Sequence, residues 1–452
     1  MENLGVFLKQ LASFLWGDWL LYTLLAVGVL YSFATGFIQF RKFPYIIKQT
    51  LFNPIREKSK GGESNSKGNV SSFQAMCAAL ASCVGSGNII GVSTALVSGG
   101  IGAIFWMWVA AFLGMATKYG EIILGIIYRE KNNKGEYVGG PMYYISKGLK
   151  LPVLGSITAI LMTVQIIGGN FIQSNAISGV MKNTFEVSTI ITAVILCTII
   201  FIIVSGGFKR LASVTQKVVP VMAIFYILFG LFLIILNIDK VPGVFAEIFK
   251  SAFTFEAGVG GIAGHTIKEA MRFGVARGLY SNEAGEGSAP VIHSTANISH
   301  PVEQAIFGVT EVFIDTIVIC TMTGIVIVLT GLYNSPLDGS VLTTAAFEVG
   351  FPIAVIGKYI VNIGLMFFAF TTILGWNYYG EKCIEYLINE KAIIPFKIIY
   401  IVLVAIGAFI SLDVIFISAD IVNGLMAIPN LIAIIALRKV IFNETNNFFK
   451  KL

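Results

Sequence analysis

Polar residues that could bind an ion or a small polar molecule stand inside long apolar stretches of the sequence. The string Val84-Gly85-Ser86-Gly87-Asn88 interrupts the apolar stretch 71–99 about thirteen residues after its start. An α-helix there would be broken at about half the depth of a membrane. Glycines beside a serine allow the backbone to unwind and to turn its N–H and C=O groups toward a ligand. Close packing of small residues between helices is the alternative.

Amide and carboxylate side chains stand in two further apolar stretches. Asn170 and Gln173 lie three residues apart, and Glu311 and Asp315 lie four residues apart, so on an α-helix each pair would share one face. A buried amide needs a hydrogen-bond partner, which is either a ligand or a neighbouring helix. Acidic groups inside a membrane indicate function by default. The acidic pair would carry a proton, or else it would pair with an internal cation or with water.

The composition identifies the class of protein to which these residues belong. The chain has 452 residues, of which 56% are hydrophobic and 12% are charged, whereas soluble domains carry roughly 25% charged residues. Apolar stretches of about 20 residues or more recur, and each is long enough to cross a bilayer core of about 30 Å. The weak alternation typical of a transmembrane β-barrel does not occur. We therefore predict an all-α, multi-pass membrane protein.

Motifs for catalysis or cofactor binding are missing from the sequence. The five cysteines form no CxxC pair, the three histidines lack metal-ligand spacing, and no HExxH or GxSxG string or phosphate-binding P-loop occurs. Metal-dependent and nucleophilic catalysis therefore have no support. We predict a protein that is not an enzyme, needs no cofactor and has no nucleic-acid partner.

The apolar stretches predict eleven transmembrane helices. These are 18–40, 71–99, 101–128, 152–180, 187–206, 214–237, 255–279, 302–332, 353–386, 393–412 and 414–438. Short connections rich in Lys and Arg stay in the cytoplasm, and 41–70 and 129–150 are two such connections. We also assign Arg272 and Arg277 to the cytoplasmic side. This arrangement places the protein in the cell membrane with its N-terminus outside and its C-terminus in the cytoplasm.

Span number and glycine placement predict the organisation of the chain. We expect an extra N-terminal helix and linker (1–70), a first five-helix repeat (71–243), and a second repeat with a cytoplasmic tail (244–452). Five spans per repeat force the second repeat to run inverted relative to the first, which is a transporter architecture. A second glycine-rich string, 257–264, predicts that the sixth core helix is broken like the first.

Several strings carry a resemblance to a known family. The segments 82–88 and 99–103 resemble the opening of the first core helix pair in LeuT-type transporters, and 273–285 (FGVARGLYSNEAG) resembles the signature of the alanine or glycine:cation symporter family. With 139–144 (GGPMYY) and Asp315-Thr316, the similarity covers essentially the whole chain. It implies an eleven-helix LeuT-like 5+5 inverted repeat of the amino acid–polyamine–organocation superfamily, carrying alanine or glycine inward with Na⁺, or less often with H⁺.

The resemblance also implies a sodium site between the first broken helix and the eighth core helix. Its ligands would be the carbonyl oxygens of Ala81, Val84 and Phe368 and the hydroxyl groups of Thr371 and Thr372. Five oxygens without a carboxylate suit a weakly held monovalent ion, because Ca²⁺ normally takes carboxylates and Mg²⁺ an octahedral set. The alternative is that the threonines only donate to carbonyl groups one turn earlier.

A zwitterionic substrate needs N–H donors for its carboxylate and acceptors for its ammonium group. The first break would supply the donors and the two amides would supply acceptors, while aromatic and methionine side chains would close a small pocket. The predicted substrate-binding residues are Gly85, Ser86, Gly87, Asn88, Asn170, Phe171, Gln173, Phe273, Met366 and Trp376.

Charged residues are predicted to act in gating or in proton coupling. Besides Glu311 and Asp315, these are Arg277 and Glu283, which we assign with Arg272 and Glu286 to a polar cytoplasmic loop. Salt bridging without a role in gating is the alternative for the loop residues.

The leading hypothesis is a secondary active symporter that works by alternating access, with one chain sufficient for transport. Its partners would be alanine or glycine, Na⁺ and the lipid bilayer. A proton-coupled symporter is the first alternative. A channel is the second, although a channel usually repeats one filter around a symmetric axis, whereas this chain carries two dissimilar breaks.

Overall fold

A computed structural model describes residues 2–54, 70–254, 266–337, 339–410 and 413–451, and almost all of them are helical. The α-helices up to residue 253 are α1 (Glu2–Leu15), α2 (Asp18–Ala34), α3 (Ile38–Arg41), α4 (Phe43–Ile47), α5 (Ser72–Cys83), α6 (Ile90–Gly99), α7 (Ala103–Ile127), α8 (Pro141–Tyr143), α9 (Pro152–Phe185), α10 (Thr189–Ser205), α11 (Gly207–Leu236) and α12 (Val241–Phe253). A short antiparallel hairpin, β1 (Glu130–Lys131) and β2 (Tyr137–Val138), is the one sheet in the described part of the chain.

The remaining α-helices follow residue 266. They are α13 (Ile267–Asn282), α14 (Ala289–His293), α15 (Pro301–Val312), α16 (Thr321–Leu329), α17 (Gly339–Gly350), α18 (Ala354–Leu387), α19 (Ile393–Gly407), α20 (Asp413–Ala436) and α21 (Arg438–Phe449). π-Helical turns occur at Lys48–Phe52, Tyr144–Gly148 and Phe313–Cys320, and 3₁₀ turns at Ser86–Asn88, Leu332–Asn334 and Glu390–Ala392.

Seven helical segments of the described residues are long and apolar enough to cross a membrane. They are Gly5–Ala34, Ala103–Ile127, Pro152–Phe185, Gly207–Leu236, Pro301–Leu329, Ala354–Leu387 and Ile415–Ala436. Three shorter apolar helices are α5, α6 and α10. Helix α10 turns large apolar side chains such as Ile190 and Val194 outward, as expected of a surface that faces lipid. The predicted class, an all-α protein with several spans, agrees with this architecture.

The first core helix is interrupted where the glycine string predicts. Ser71 caps the start of α5, because its Oγ accepts from the Gln74 N–H at 3.2 Å while the Gln74 side chain accepts from the Ser71 N–H at 3.0 Å. The helix ends at Cys83, since the Gly85 N–H donates to the Asn88 Oδ1 at 2.9 Å instead of continuing the helical ladder. The chain therefore unwinds over residues 84–89 before α6 begins.

Helix α7 defines the two ends of the bundle. It runs from the Gly100–Gly102 turn, here called the turn end, to the β1–β2 hairpin, here called the hairpin end. At the hairpin end, Arg129 donates to the Ala296 carbonyl at 2.8 Å, and the Asn297 N–H donates to the Val70 carbonyl at 3.0 Å. The start of α5 and the end of α14 therefore meet at the hairpin end.

The second broken helix begins at the turn end. A Cβ atom at Gly99 would lie 3.0 Å from the Phe273 Cβ, and one at Gly274 would lie 2.3 Å from the Ala103 carbonyl oxygen. Helix α13 ends at Asn282, and the chain is unwound until α14 begins. The two broken helices, α5–α6 and α13–α14, therefore run antiparallel to each other.

The structure shows a second break beyond the predicted seventh span 255–279 and changes the place of Glu283. The second break among the described residues follows Asn282, whereas the predicted string 257–264 lies outside them. Gly285 and Gly287 in this break have φ angles of 93° and 82°, a backbone conformation that favours glycine. Glu283 is buried in the break and does not lie in a cytoplasmic loop.

Arg272 and Arg277 lie at the opposite end of the bundle from the one predicted. Arg272 and Arg277 belong to α13, which begins beside Gly99 and Ala103 at the turn end, opposite to Arg129 at the hairpin end. Counting positive charges misplaced them because Arg277 is neutralised by Asp420, at 2.9 Å.

Candidate functional site

Four of the five predicted sodium ligands come together between the first break and α18. The Thr372 Oγ1 lies 3.4 Å from the Val84 carbonyl oxygen and 3.0 Å from that of Phe368. The Thr371 Oγ1 lies 3.1 Å from the same Phe368 oxygen. All four residues are buried. Each hydroxyl donates one hydrogen to a carbonyl and keeps its lone pairs for an ion, so the donation to carbonyls and a sodium site are compatible.

Ala81 stands beside this cluster in the last turn of α5. The Gly85 N–H donates to Asn88, so the regular helical bond to the Ala81 carbonyl is not made. Helix C-terminal carbonyls of this kind are available to an ion and carry the negative end of the helix dipole. The oxygens present are neutral and hard, which fits a monovalent cation.

The first break faces Gln173 on α9. The Ser86 N–H donates to the Gln173 Oε1 at 3.2 Å. A Cβ atom at Gly85 would lie 2.5 Å from the Thr372 Oγ1 and 3.4 Å from the Gln173 Nε2, so only glycine fits between the threonine and the amide. Gly87 lies against Tyr280, with 3.5 Å between a Cβ atom built there and the tyrosine ring.

Asn170 and Phe171 turn toward α19 rather than toward the break. The Asn170 Nδ2 donates to the Tyr400 carbonyl at 3.4 Å, and its Oδ1 has no hydrogen-bond partner. A Cβ atom at Gly407 would lie 3.0 Å from the Phe171 ring. The interhelical alternative for Asn170 therefore has a hydrogen bond, whereas among the described residues Asn170 makes no hydrogen bond to the first break.

Trp376 joins α18 to the second break. Its Nε1 donates to the Glu283 Oε1 at 2.9 Å, and the Ser288 Oγ donates to the Glu283 Oε2 at 2.5 Å. The indole ring lies against the backbone of Gly169, where a Cβ atom would come within 1.7 Å of it. Met366, ten residues earlier in α18, is partly buried between the two apolar clusters of the core.

Asp315 links the two breaks. Its Oδ1 accepts from the Asn88 Nδ2 at 2.7 Å, and its Oδ2 accepts from the Ser281 and Thr316 hydroxyls at 2.9 and 2.8 Å. Asn88 belongs to the first break and Ser281 to the last turn of α13. These donors are neutral, so the buried carboxylate is held by hydrogen bonds alone.

Glu311 belongs to a different, ionic network. Its carboxylate forms a salt bridge with Lys118 of α7, and its Oε2 lies 2.9 Å from the His293 Nε2. The Lys118 ammonium also donates to the Asn282 carbonyl at 2.7 Å and contacts the Cys83 Sγ at 3.2 Å. The ammonium therefore lies at the C-terminal ends of α5 and α13, where a positive charge is favourable.

A vestibule of about 440 Å³ opens at the turn end. Its lining includes Phe273 and Tyr280 of α13 and Trp16 near the end of α1. Arg277 forms a bidentate pair with Asp420 of α20, with both nitrogen–oxygen distances at 2.9 Å. Phe273 therefore lies in the vestibule, away from both breaks, while Tyr280 lies between the vestibule and the first break.

Sequence reasoning missed several residues of this region. Lys118 and Glu121 are charged residues inside the apolar stretch 101–128, and such residues are functional hypotheses by default, so a signal was present. Tyr280 belongs to the signature string 273–285, but its residue type alone indicated no role. Asp420 and Asn423 stand inside the predicted span 414–438 and carried the same signal, but their partners in α13 and in the second break could not be inferred from the sequence.

Comparisons with known proteins identify the family of the chain. The sequence model of the sodium:alanine symporter family matches residues 1–452. The chain belongs to this family. Its members are transporters, so the protein is an amino-acid transporter embedded in a membrane and not an enzyme.

Two relatives and one solved structure give the degree of similarity. The chain is 43% identical to the sodium/alanine symporter AgcS of Methanococcus maripaludis, over 96% of this chain and 95% of that protein. It is 37% identical to the probable sodium/glutamine symporter GlnT of Bacillus subtilis, over 97% and 89%. The crystal structure of MhsT in complex with L-phenylalanine matches with a TM-score of 0.56 and 14% identity, over 82% and 90%. This last likeness shows the LeuT-type fold predicted from the sequence.

Proposed function

We propose that the protein is a sodium-coupled symporter that imports small neutral amino acids, alanine or glycine, by alternating access. The observation that carries the proposal is the cluster formed by the Val84 and Phe368 carbonyls and the Thr371 and Thr372 hydroxyls. It is buried, it consists of neutral oxygens, and it touches the first break, so an ion bound there would change the backbone to which the substrate binds.

In this proposal, Na⁺ and substrate bind on opposite sides of Gly85. The ion would bind to the threonine hydroxyls and to the carbonyl ends of α5, including that of Ala81. The substrate carboxylate would accept from the N–H groups of the first break, and the Gln173 Oε1 would accept from its ammonium group. Binding of either one would favour the backbone conformation that the other needs, which is how coupling arises.

The eleven-span, 5+5 inverted-repeat topology belongs to the same proposal, with an extra N-terminal helix and repeats at 71–243 and 244–452. The antiparallel course of the two broken helices supports it. With the N-terminus outside and the C-terminus in the cytoplasm, the hairpin end faces the cytoplasm and the turn end faces outward. One chain contains all proposed ligands.

The two amides of α9 give a direct test of the substrate site. We expect Gln173→Ala to raise the substrate concentration for half-maximal uptake by about tenfold, since a hydrogen bond to a charged group is lost. Asn170→Ala, which removes a contact to Tyr400, should change it by less than about threefold. Initial rates of labelled alanine uptake in proteoliposomes measure both values. Equal effects of the two substitutions would contradict the assignment of the acceptor to Gln173.

The ion pair between Arg277 and Asp420 is proposed to close the vestibule over Tyr280. We expect Asp420→Asn to lower the maximal uptake rate by about tenfold, because one charge of a bidentate pair is lost. Equilibrium binding of substrate should change by less than about threefold. Asp18→Asn is the control, since its pair with Lys268 is largely exposed. A normal rate in Asp420→Asn would leave the pair as a structural contact.

Proton coupling is the second candidate, and Asp315 is the observation that favours it. Asp315 is buried, and only neutral donors contact its carboxylate, whereas Glu311 is paired with Lys118 and His293. Uptake driven by an inward proton gradient without Na⁺ would support this candidate and contradict sodium coupling.

A further inference from the structure

A small cavity lies in the second break, away from the sodium cluster. Its volume is about 20 Å³, which is enough for one particle the size of a water molecule. Gln165 of α9, Glu283 and Glu286 of the break, and Asn423 of α20 line it together with Trp376.

The cavity is closer to the hairpin end than the first break is. Gln165 precedes Gln173 by eight residues in α9, which places it about 12 Å nearer the hairpin end at 1.5 Å per residue. Trp376 follows Thr372 by four residues in α18, which runs toward the hairpin end, where Lys382 meets Glu136. The cavity is therefore separate from the Thr371–Thr372 cluster.

Two of the residues that line this cavity have side-chain amide oxygens without hydrogen-bond partners. The Gln165 Oε1 and the Asn423 Oδ1 are buried and unpaired, and their residues are 6% and 1% exposed. The Asn423 orientation is fixed, because its Nδ2 donates to the Glu286 Oε1 at 2.8 Å. An unpaired buried carbonyl oxygen is costly unless a ligand satisfies it.

Two carboxylates at the same cavity lack a cation. Glu283 and Glu286 are 4% and 6% exposed, and neither takes part in a salt bridge within the described residues. Glu283 accepts from the neutral groups of Trp376 and Ser288. The buried ammonium of Lys118 is paired with Glu311. Burying carboxylates in this way is unfavourable without a counter-ion.

We propose that Glu283, Glu286, Gln165 and Asn423 form a second cation site, which binds one Na⁺ in the hairpin-end half of the protein. Two carboxylates and two amide oxygens supply hard oxygen ligands around a space for one small particle. That space is too small for the several waters that Mg²⁺ retains. The choice of Na⁺ as the ion rests on the proposed function, whereas the site rests on the unpaired oxygens.

The test is binding of ²²Na⁺ to the purified full-length protein in detergent, without amino acid. Choline chloride keeps the ionic strength constant as the Na⁺ concentration is varied. We expect about two ions per wild-type protein at saturation. Thr371→Val/Thr372→Val and Glu283→Gln/Glu286→Gln should each bind about one, and the combination of all four substitutions should bind none. Glu130→Gln, which changes a half-exposed carboxylate, should bind the same number of ions as the wild type.

The variants separate failure of this inference from failure of the proposed function. Wild-type binding by the Glu283→Gln/Glu286→Gln variant would show that the acids hold protons, and would overturn the second site while leaving sodium coupling intact. If the Glu283→Gln/Glu286→Gln variant binds fewer Na⁺ ions and the threonine variant binds as many as the wild type, the second site is supported and the threonine site is contradicted.

A single neutral substitution provides a check that does not depend on the double variant folding. Gln165→Met keeps the size of the side chain and removes one ligand oxygen. We therefore expect the Na⁺ affinity of the second site to fall about tenfold, while that of the Thr371–Thr372 cluster stays unchanged. Trp376 contacts Glu283, so it is one of the five tryptophans whose fluorescence is expected to change when Na⁺ binds at this site. An unchanged titration in Gln165→Met would overturn the assignment of the site.

Discussion

The substitution Thr372→Val is expected to lower the apparent affinity for Na⁺ by about 10- to 100-fold, because it removes a ligand that interacts with a charge. Valine has nearly the same shape as threonine, so the contact with Gly85 and the packing of α18 stay intact. The concentration of Na⁺ for half-maximal alanine uptake in proteoliposomes measures the effect. Maximal uptake at very high sodium should be partly restored.

Thr198→Val is the matched control for this experiment. Thr198 donates to the Val194 carbonyl one turn earlier at 2.7 Å, and it lies on the exposed face of α10. It therefore shows the same helical hydrogen bond as Thr372 but faces away from the bundle. Sodium activation should be normal in this variant. Normal activation in Thr372→Val as well would mean that the threonines only donate to backbone carbonyls.

The substitution Lys118→Met is expected to lower the free energy of unfolding by about 3–5 kcal/mol, because it leaves the Glu311 carboxylate buried without its cation. Neither side chain of this pair is exposed to solvent. The substitution also removes the ammonium that caps the Asn282 carbonyl at the end of α13. Thermal unfolding followed by size-exclusion chromatography in detergent gives the loss of folded protein.

A second substitution tests the cause of this loss. Glu311→Gln in the Lys118→Met background removes the unpaired charge, and we expect it to recover at least about half of the lost stability. Transport should stay low, since α13 still lacks its cap. Lys147→Met, in a pair that is about half exposed, should cost less than about 1 kcal/mol. No recovery in the double variant would show that Lys118 acts through packing rather than charge.

Much of the architecture could be predicted because membrane helices leave a strong signal. Apolar stretches predicted the class of fold, and the string 84–88 predicted the first break, since glycine placement there is a local property. The resemblance then identified the family. Thr371 and Thr372 could be proposed as sodium ligands only through this resemblance, because two adjacent threonines are common in membrane helices.

The errors arose where burial and partners decide the outcome. Glu283 and Glu286 were assigned to a polar cytoplasmic loop, but Glu283 is buried and accepts from Trp376, which lies 93 positions later. Arg277 counted as a cytoplasmic charge because its partner Asp420 is 143 positions away. The role of Asn170 in the pocket stays a prediction, because its Nδ2 donates to the Tyr400 carbonyl of α19 while its Oδ1 has no partner.

Energetic considerations give the scale of transport expected from one Na⁺ per substrate. A membrane potential of about 100 mV contributes roughly 2.3 kcal/mol, and a tenfold sodium gradient contributes about 1.4 kcal/mol. Together they would support accumulation of the amino acid by several hundredfold at the thermodynamic limit. If the second cation site moves its ion with each cycle, the limit would rise to the square of that ratio.

The most direct test of the central claim is uptake of labelled alanine, glycine and glutamine by the purified protein in liposomes. An inward Na⁺ gradient, an inward proton gradient and no gradient are compared at one membrane potential. From sodium coupling we predict concentrative uptake of alanine or glycine with the Na⁺ gradient alone, and loss of this uptake in Thr371→Val/Thr372→Val. Equal uptake without Na⁺, or uptake that only the proton gradient drives, would contradict it.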